Sequence, residues 1–464
     1  MIHRFYLTQI NDMERLKYPI LEKIIENQQK KLADSLWSNA EDKIKYGFEL
    51  SPNVGLINEA QKAELLEINS AVFGDGGYLE GALGLYNALS VSEKLKATGI
   101  GGMIWKAMNF GINKHEKPIQ GLINRLPLFA RCDLMTTEKV NSTGSIYQIA
   151  EVEGDKTHGM GYYDGFILPN CKEITGQISG KTFTEAVKRE VGRETVFLLI
   201  GNSERFYLAE MEKLLWPVAN KADLDLVVVT ENTLKLNKNS VNPLIYGEKE
   251  GKFLVNLPVL EPDGPLVKKD CSDKNLYDMC VWGEVECLIP PNRFLSNKAL
   301  LGIVSNGLEN PESEIWVKEY FDQNKLNLLR EYIPRTILVN KYNLKTVKDL
   351  LENEGDNWVV KKTVSSGSKG VSLDKEDHGK RQAMLKDMDA APLGYIIQYK
   401  ISQRTKHFWH TEQDLSGIVN SALYTRTELY GQSQGILAVG MTARPETAVH
   451  VQTDAIQIPV RFGS

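Results

Sequence analysis

Apolar residues recur at three- and four-residue spacing near the start of the chain, where Ile20, Leu21, Ile24, Ile25, Leu32 and Leu36 follow Pro19. That spacing lays one apolar face along a helix, and Pro19 suits a first helical turn, where its missing N–H costs nothing. A second helix is predicted over Glu59–Phe73, stopped by Gly74-Asp75-Gly76-Gly77. Near residue 126 the texture changes to short strand-like runs. Residues 126–134 and 146–153 flank a polar turn, the pattern of a hairpin whose second strand ends in acidic residues.

Another texture begins at Val196. Five apolar residues, Val196-Phe197-Leu198-Leu199-Ile200, read as a buried strand, Gly201-Asn202-Ser203 as a turn and helix cap, and residues 224–229 as a second buried strand after the helix. This βαβ unit predicts a small Rossmann-like layer reaching about residue 289, where Pro290-Pro291 marks a boundary. Helices are expected from Asn297, Glu314 and Leu344. Strands follow at 358–362, 395–400, 422–430 and 436–444. The predicted organisation is mixed α+β and α/β in three parts: 1–190, 191–290 and 291–464.

Composition narrows the class. With 464 residues, 42% apolar and 25% charged, the chain is an ordinary globular one, too long for a single compact core. Lys plus Arg number 55 against 60 Asp plus Glu, a net charge of -5 that argues against bulk nucleic-acid binding. No run approaches the roughly 18 apolar residues of a membrane helix, and no basic-then-apolar leader opens the chain. Five cysteines without CxxC spacing argue against a disulfide framework or structural zinc, and a cytoplasmic setting is expected.

Candidate chemistry falls in four places. Around Lys361, an apolar strand ends in Lys361-Lys362, then Thr363-Val364-Ser365-Ser366-Gly367-Ser368-Lys369-Gly370 leads to another strand. Small residues let backbone N–H groups converge on an anion, and the lysine adds charge there, although a plain hairpin turn with solvated lysines reads the same way. It is not a P-loop, since GxxxxGK[ST] is absent and no helix follows. Gly394 to Lys400 forms an apolar strand ending in Gln398-Tyr399, able to present backbone groups to an adenine edge or to serve as a common edge strand. Lys298 is expected in the first turn of a helix capped by Ser296 or Asn297. There it opposes the helix dipole by a few tenths of a kcal/mol, which a bound phosphate would offset. The fourth place is acidic: Arg131-x-Asp133 on one strand, Glu151-x-Glu153-x-Asp155 on the next. Residues at i, i+2 and i+4 of a strand share a face, and a cation would relieve their repulsion; hard oxygen ligands select Mg2+.

Other features point elsewhere. Gly99-Ile100-Gly101-Gly102 lacks a preceding buried strand and is read as a turn rather than a dinucleotide fingerprint. His158 follows the acidic strand and is read as a loop histidine, and His407 and His410 as packing residues of a strand. The βαβ unit lacks a glycine-rich fingerprint and is read as scaffold, not an NAD site.

Together the four pieces resemble the ATP-grasp superfamily, and their order resembles its permuted, glutathionylspermidine synthase-like branch. In that branch RxD, ExNxD, a "sNK" helix, "vvKp" with a glycine-containing loop and a "Q-hydrophobe" strand follow one another, whereas nothing after Glu446 supplies the usual late pair of carboxylates here. The match spans about residues 126–444. Glu153 stands where the branch often has Asn, Lys362 where it has Pro, and residues 365–370 lack its arginine.

The resemblance implies an ATP-grasp fold and an ATP- and Mg2+-dependent ligase that joins a carboxylate to an amine through an acylphosphate. It implies that Lys298 and Lys361 hold phosphates, that Ser366, Gly367, Ser368, Lys369 and Gly370 cover them, and that Gln398 and Tyr399 lie by the adenine. Asp133, Glu151 and Glu153 would bind Mg2+; Arg131, Arg444 and Arg426 would face the transferred phosphoryl group or the substrate. Small-molecule carboxylate and amine partners are expected, with a carrier-protein thiol, direct phosphoryl transfer to a small molecule, or a non-catalytic nucleotide-binding role as alternatives. A closing lid is expected at the Ser365–Lys369 loop or at Gly74–Gly77.

Overall fold

A computed structural model describes residues 48–50, 55–93, 96, 99–112, 125–137, 145–155, 159, 161, 163–167, 182–202, 205–256, 266, 275–290, 292–306, 308, 310–365, 370–373, 378–411, 418–444, 455–458 and 460–462. The predicted N-terminal helix, His158, and the loop residues Ser366, Gly367, Ser368 and Lys369 lie outside these.

The centre is a seven-stranded sheet built from both ends of the chain. Its order runs Phe48–Leu50, Ala455–Ile458, Gly435–Arg444, Ile418–Gln432, Ala130–Thr136, Tyr147–Glu153. Strand Thr405–Thr411 pairs with the first half of Ile418–Gln432, and the hairpin strand Ala130–Thr136 takes the second half of the same edge. The long strand exceeds the predicted 422–430 because it must serve both neighbours.

Alternation along these strands sorts the residues by face. Cys132, Leu134, Ile149, Val152, Leu429, Val439 and Met441 join one apolar core. Helix Glu59–Phe73 packs on that face, spanning the predicted residues, its start set by a cap in which Asn58 and Gln61 satisfy each other's backbone N–H groups at 2.9 and 3.0 Å. Phe73 approaches the strand so closely that a Cβ on Gly431 would sit 2.2 Å from its ring. The opposite face is polar.

Two further sheets flank this one. Strands Glu286–Cys287, Phe253–Asn256, Val196–Ile200 and Leu226–Thr230 form the expected parallel βαβ layer, the whole of Val196–Ile200 being buried as its unbroken apolar run requires. Strands Thr336–Leu338, Tyr395–Tyr399, Trp358–Lys362 and Val371–Ser372 form an antiparallel sheet. Helices Leu344–Glu354 and His378–Ala390 cover it, with Trp358, Val360, Met384, Met388 and Ile397 between the layers.

Several expectations are corrected. Residues 99–102 are not a turn but the start of helix Gly99–Met108, whose glycines Gly101 and Gly102 are buried. The helix expected from Glu314 begins at Pro311, capped by Asn310, whose side chain accepts from the Glu312 N–H at 2.8 Å. The turn at residues 74–77 is no lid: Asp322 N–H donates to the Gly76 carbonyl at 2.9 Å, and a Cβ on Gly77 would meet the Ala71 carbonyl at 2.5 Å.

Beneath the sheet, buried Asp164 accepts from the Phe183 and Thr184 N–H groups at 3.3 and 2.8 Å, adding a second acceptor to a helix already capped by Thr182. Burial pushes its pKa up to about 6, against the lowering effect of those bonds. The fold therefore favours the protonated acid, and that contribution is lost as pH rises from about 4, the unfolded value, to about 6. Denaturant midpoints at pH 4, 5, 6 and 7 are expected to show wild type losing stability relative to Asp164→Asn across that window. Parallel curves would contradict this.

Candidate active site

The site forms where the polar face of the large sheet meets the antiparallel sheet. A bulge in the hairpin matters first. Asp133 pairs with Glu151 but Leu134 pairs with Ile149, so Ala150 is an extra residue on its strand. Lys361, on the face of its own strand away from the local core, donates to the Ala150 carbonyl at 3.2 Å and to the Gln398 side-chain carbonyl at 2.6 Å. Gln398 is held in turn by Thr336 at 3.0 Å. Burial pushes the Lys361 pKa down to about 8, with Lys298 adding to that shift and Glu151 and Asp133 opposing it.

Lys298 approaches from the other side. Its Nζ lies 2.6 Å from Glu151 Oε1 and 3.1 Å from the Ser365 carbonyl, and its backbone N–H donates to the Thr363 carbonyl at 2.9 Å. It occupies the N-cap position of the six-residue helix Ala299–Val304, not the first turn, and of the two expected caps Asn297 serves, its Oδ1 accepting from the Ala299 N–H at 2.9 Å. Asn297 is engaged with the Ala107 and Met108 carbonyls at 2.9 and 3.1 Å, while Ser296 turns away toward Asp155. Asp155 therefore does not share a site with Glu151 and Glu153, as i, i+4 spacing predicted. The strand ends at Glu153, and Asp155 binds Ser296 and, at 3.3 Å, Arg293, fastening the turn that carries Lys298.

The remaining charges lie along the sheet face. Arg131 reaches Asp133 at 2.8 Å and Glu153 at 3.0 Å; Arg426 reaches Asp133 at 3.1 Å and Glu428 at 2.6 Å. Burial would raise the Asp133 pKa, but Arg131 and Arg426 hold it below the usual carboxylate range. Thr442 donates to Glu428 at 2.7 Å and receives from Gln457 at 2.9 Å. Glycine at 440 leaves room for Glu428, since a Cβ there would lie 3.0 Å from its carboxylate. Among the described residues, buried Arg426 Nε has no hydrogen-bond partner.

Cross-strand register thus brings together Arg131, Asp133, Glu151, Glu153 and Arg426, while Lys298 pairs with Glu151 and Lys361 lies near enough for Glu151 and Asp133 to act on its charge. Arg444 sits at the end of the next strand, opposite Tyr424, and is buried. Tyr399 is 47% exposed at the strand end, and Gly370 closes the described part of the loop by accepting from the Lys362 N–H at 2.7 Å. Glu428, Thr442 and Gln457 escaped sequence reasoning. Arg426-x-Glu428 repeats the Arg131-x-Asp133 spacing one strand over, which was the available signal.

No protein-family model matches this chain, and no curated protein matches it. Among solved structures, a glutathione synthetase-like effector from Globodera pallida, in apo form, matches 96% of this chain and 99% of its own at 11% identity, with a TM-score of 0.52. The fold is that of the ATP-grasp ligases. A γ-glutamylcysteine synthetase-like protein from Methylobacillus flagellatus matches 69% of this chain and 76% of its own at 11% identity and TM-score 0.36. D-alanine–D-alanine ligase from Helicobacter pylori matches 53% and 92% at 12% identity and TM-score 0.25. The described residues hold no group of three His, Cys, Asp or Glu side chains arranged for a metal, and no helix long and apolar enough to cross a membrane.

Removing one member of a buried ion network leaves another charge uncompensated. Glu428→Ala is expected to destabilise the protein by about 3–5 kcal/mol, and Glu428→Gln by less, because the amide oxygen can still accept from Arg426. Equal denaturant midpoints for Glu428→Ala and wild type would show that the Arg426 pairing contributes nothing.

Proposed function

We propose that this chain is an ATP- and Mg2+-dependent ligase of the permuted, glutathionylspermidine synthase-like kind, activating a small-molecule carboxylate and joining it to an amine. The observation that carries the reading is the meeting of a buried and a half-buried lysine from the late part of the chain with the acidic strand of an early hairpin, Lys298 touching Glu151 and Lys361 touching the adjacent carbonyl. A solvated turn and a solvated acidic edge have no reason to be buried against each other.

The side chains suit the groups this reaction needs. Lys298 and Lys361 place two charges at one spot for a triphosphate, and Arg426 Nε is a buried donor still open to an acceptor. Asp133, Glu151 and Glu153 offer hard oxygens, and Mg2+ is commonly held by one or two carboxylates together with substrate phosphates. When bound, the metal would neutralise charge on the transferring phosphoryl group. Lys298 and Lys361 hold the phosphates, and Gln398 keeps the Lys361 ammonium aimed at them. Arg131 and Arg426, fixed by Asp133, Glu153 and Glu428, keep positive charge where the γ-phosphoryl passes to the carboxylate. Arg444 serves the acceptor side of that face, and Tyr399 the adenine end. The acylphosphate has to be kept from water until the amine attacks the acyl carbon and releases phosphate.

The test is ADP release against pooled amino acids, polyamines and peptides with Mg2+ present, the product identified by mass. An amide is expected; a thioester or a phosphate ester would replace the ligase reading with acyl transfer or kinase activity. Glu151→Gln is expected to abolish turnover with the fold intact, and more than about a tenth of wild-type activity would remove it from the metal site. Lys361→Ala is expected to weaken nucleotide binding by about 1.5–3 kcal/mol, measured by calorimetry.

A further inference from the structure

The charges of the site are neutralised from within. Lys298 is only 4% exposed, and its charge is balanced by Glu151 at 2.6 Å. Both groups are wanted elsewhere in the proposed reaction: the lysine by a phosphate, the carboxylate by a divalent cation. A triphosphate arriving alone would take Lys298 and strand the Glu151 carboxylate beside it. A divalent cation arriving alone would take Glu151 and strand the buried ammonium. The cation alone would leave an unpaired ammonium in a buried place, which is strongly unfavourable; the triphosphate alone would leave a half-buried carboxylate, 25% exposed, repelling the negative charge beside it. Only joint arrival satisfies both groups at once.

We propose that the Lys298–Glu151 ion pair is a latch that makes nucleotide and divalent metal bind together and excludes each when alone. This rests on the nucleotide reading above. Asp133 does not play the same part, because its two arginines stay beside it and need not move when phosphate enters. Lys361 is not latched either: its partners are neutral oxygens of Ala150 and Gln398, which it can release without leaving a charge behind. The latch is therefore a single pair. Coupling between two ligands is reciprocal, so the factor by which Mg2+ raises ATP affinity equals the factor by which ATP raises Mg2+ affinity.

Calorimetry on the full chain reads this directly, using ATP with EDTA, Mg2+ alone, and ATP with Mg2+. Wild type is expected to bind ATP with Mg2+ and to bind each alone at least about tenfold more weakly. Glu151→Gln, which frees Lys298 without removing the hydrogen-bonding side chain, is expected to bind metal-free ATP about tenfold more tightly than wild type, although it cannot turn over. Lys298→Gln frees the carboxylate instead and is expected to gain affinity for Mg2+ alone. If wild type binds ATP with Mg2+ and neither variant gains affinity for its lone ligand, the latch is wrong while the nucleotide site stands. If wild type fails to bind ATP with Mg2+, the functional reading itself fails. Melting temperatures of both variants confirm that they are folded when assayed.

Discussion

The site depends on gathering four carboxylates and four cations, buried or half-buried, between the polar face of one sheet and the elements packed against it. Asp133, Glu151, Glu153 and Glu428 face Arg131, Arg426, Lys298 and Lys361. Taking an isolated charge out of water is expensive, and such a face exists only because each acid finds a base within hydrogen-bond reach. Removing any one of them by mutation would cost more than the pair itself contributes, since the survivor stays buried. A face made this way is rigid in charge but exchangeable in partners, which suits an anionic ligand and a cation entering as one neutral-seeking unit.

Backbone irregularity positions the network as much as the side chains do. The extra residue at Ala150 turns a carbonyl toward Lys361 that a regular ladder would have committed to its neighbour strand. The 3-10 turn Arg293–Ser296, tied down by Asp155, places Lys298 against the Thr363 carbonyl of the opposite sheet. Glycines at 431 and 440 remove side chains where Phe73 and Glu428 come close. Each device sits at a seam between elements distant in sequence.

Much of the fold was legible locally. The helix Glu59–Phe73, the all-buried Val196–Ile200 strand and the strands Trp358–Lys362 and Gly435–Arg444 follow from spacing and punctuation that act over a few residues. The misreadings have equally local causes. Glycine-rich residues 99–102 joined a helix because Gly101 and Gly102 are buried among neighbouring elements, and packing outweighed the poor helix propensity of glycine. Strict alternation failed at Ala150, where Ile149 and Val152, three residues apart, both had to reach the apolar core.

By itself, then, the sequence determined the element types, the order of the charged motifs and the residue types at the site, because periodicity, caps and side-chain chemistry are properties of short segments. Which charges meet was decided by tertiary structure alone. Glu428 joined the network, Asp155 left it and Lys298 found Glu151 through strand register, a bulge and the packing of two sheets. The bulge lies within one hairpin, but the others depend on contacts between residues more than a hundred positions apart, which short-range pattern cannot encode.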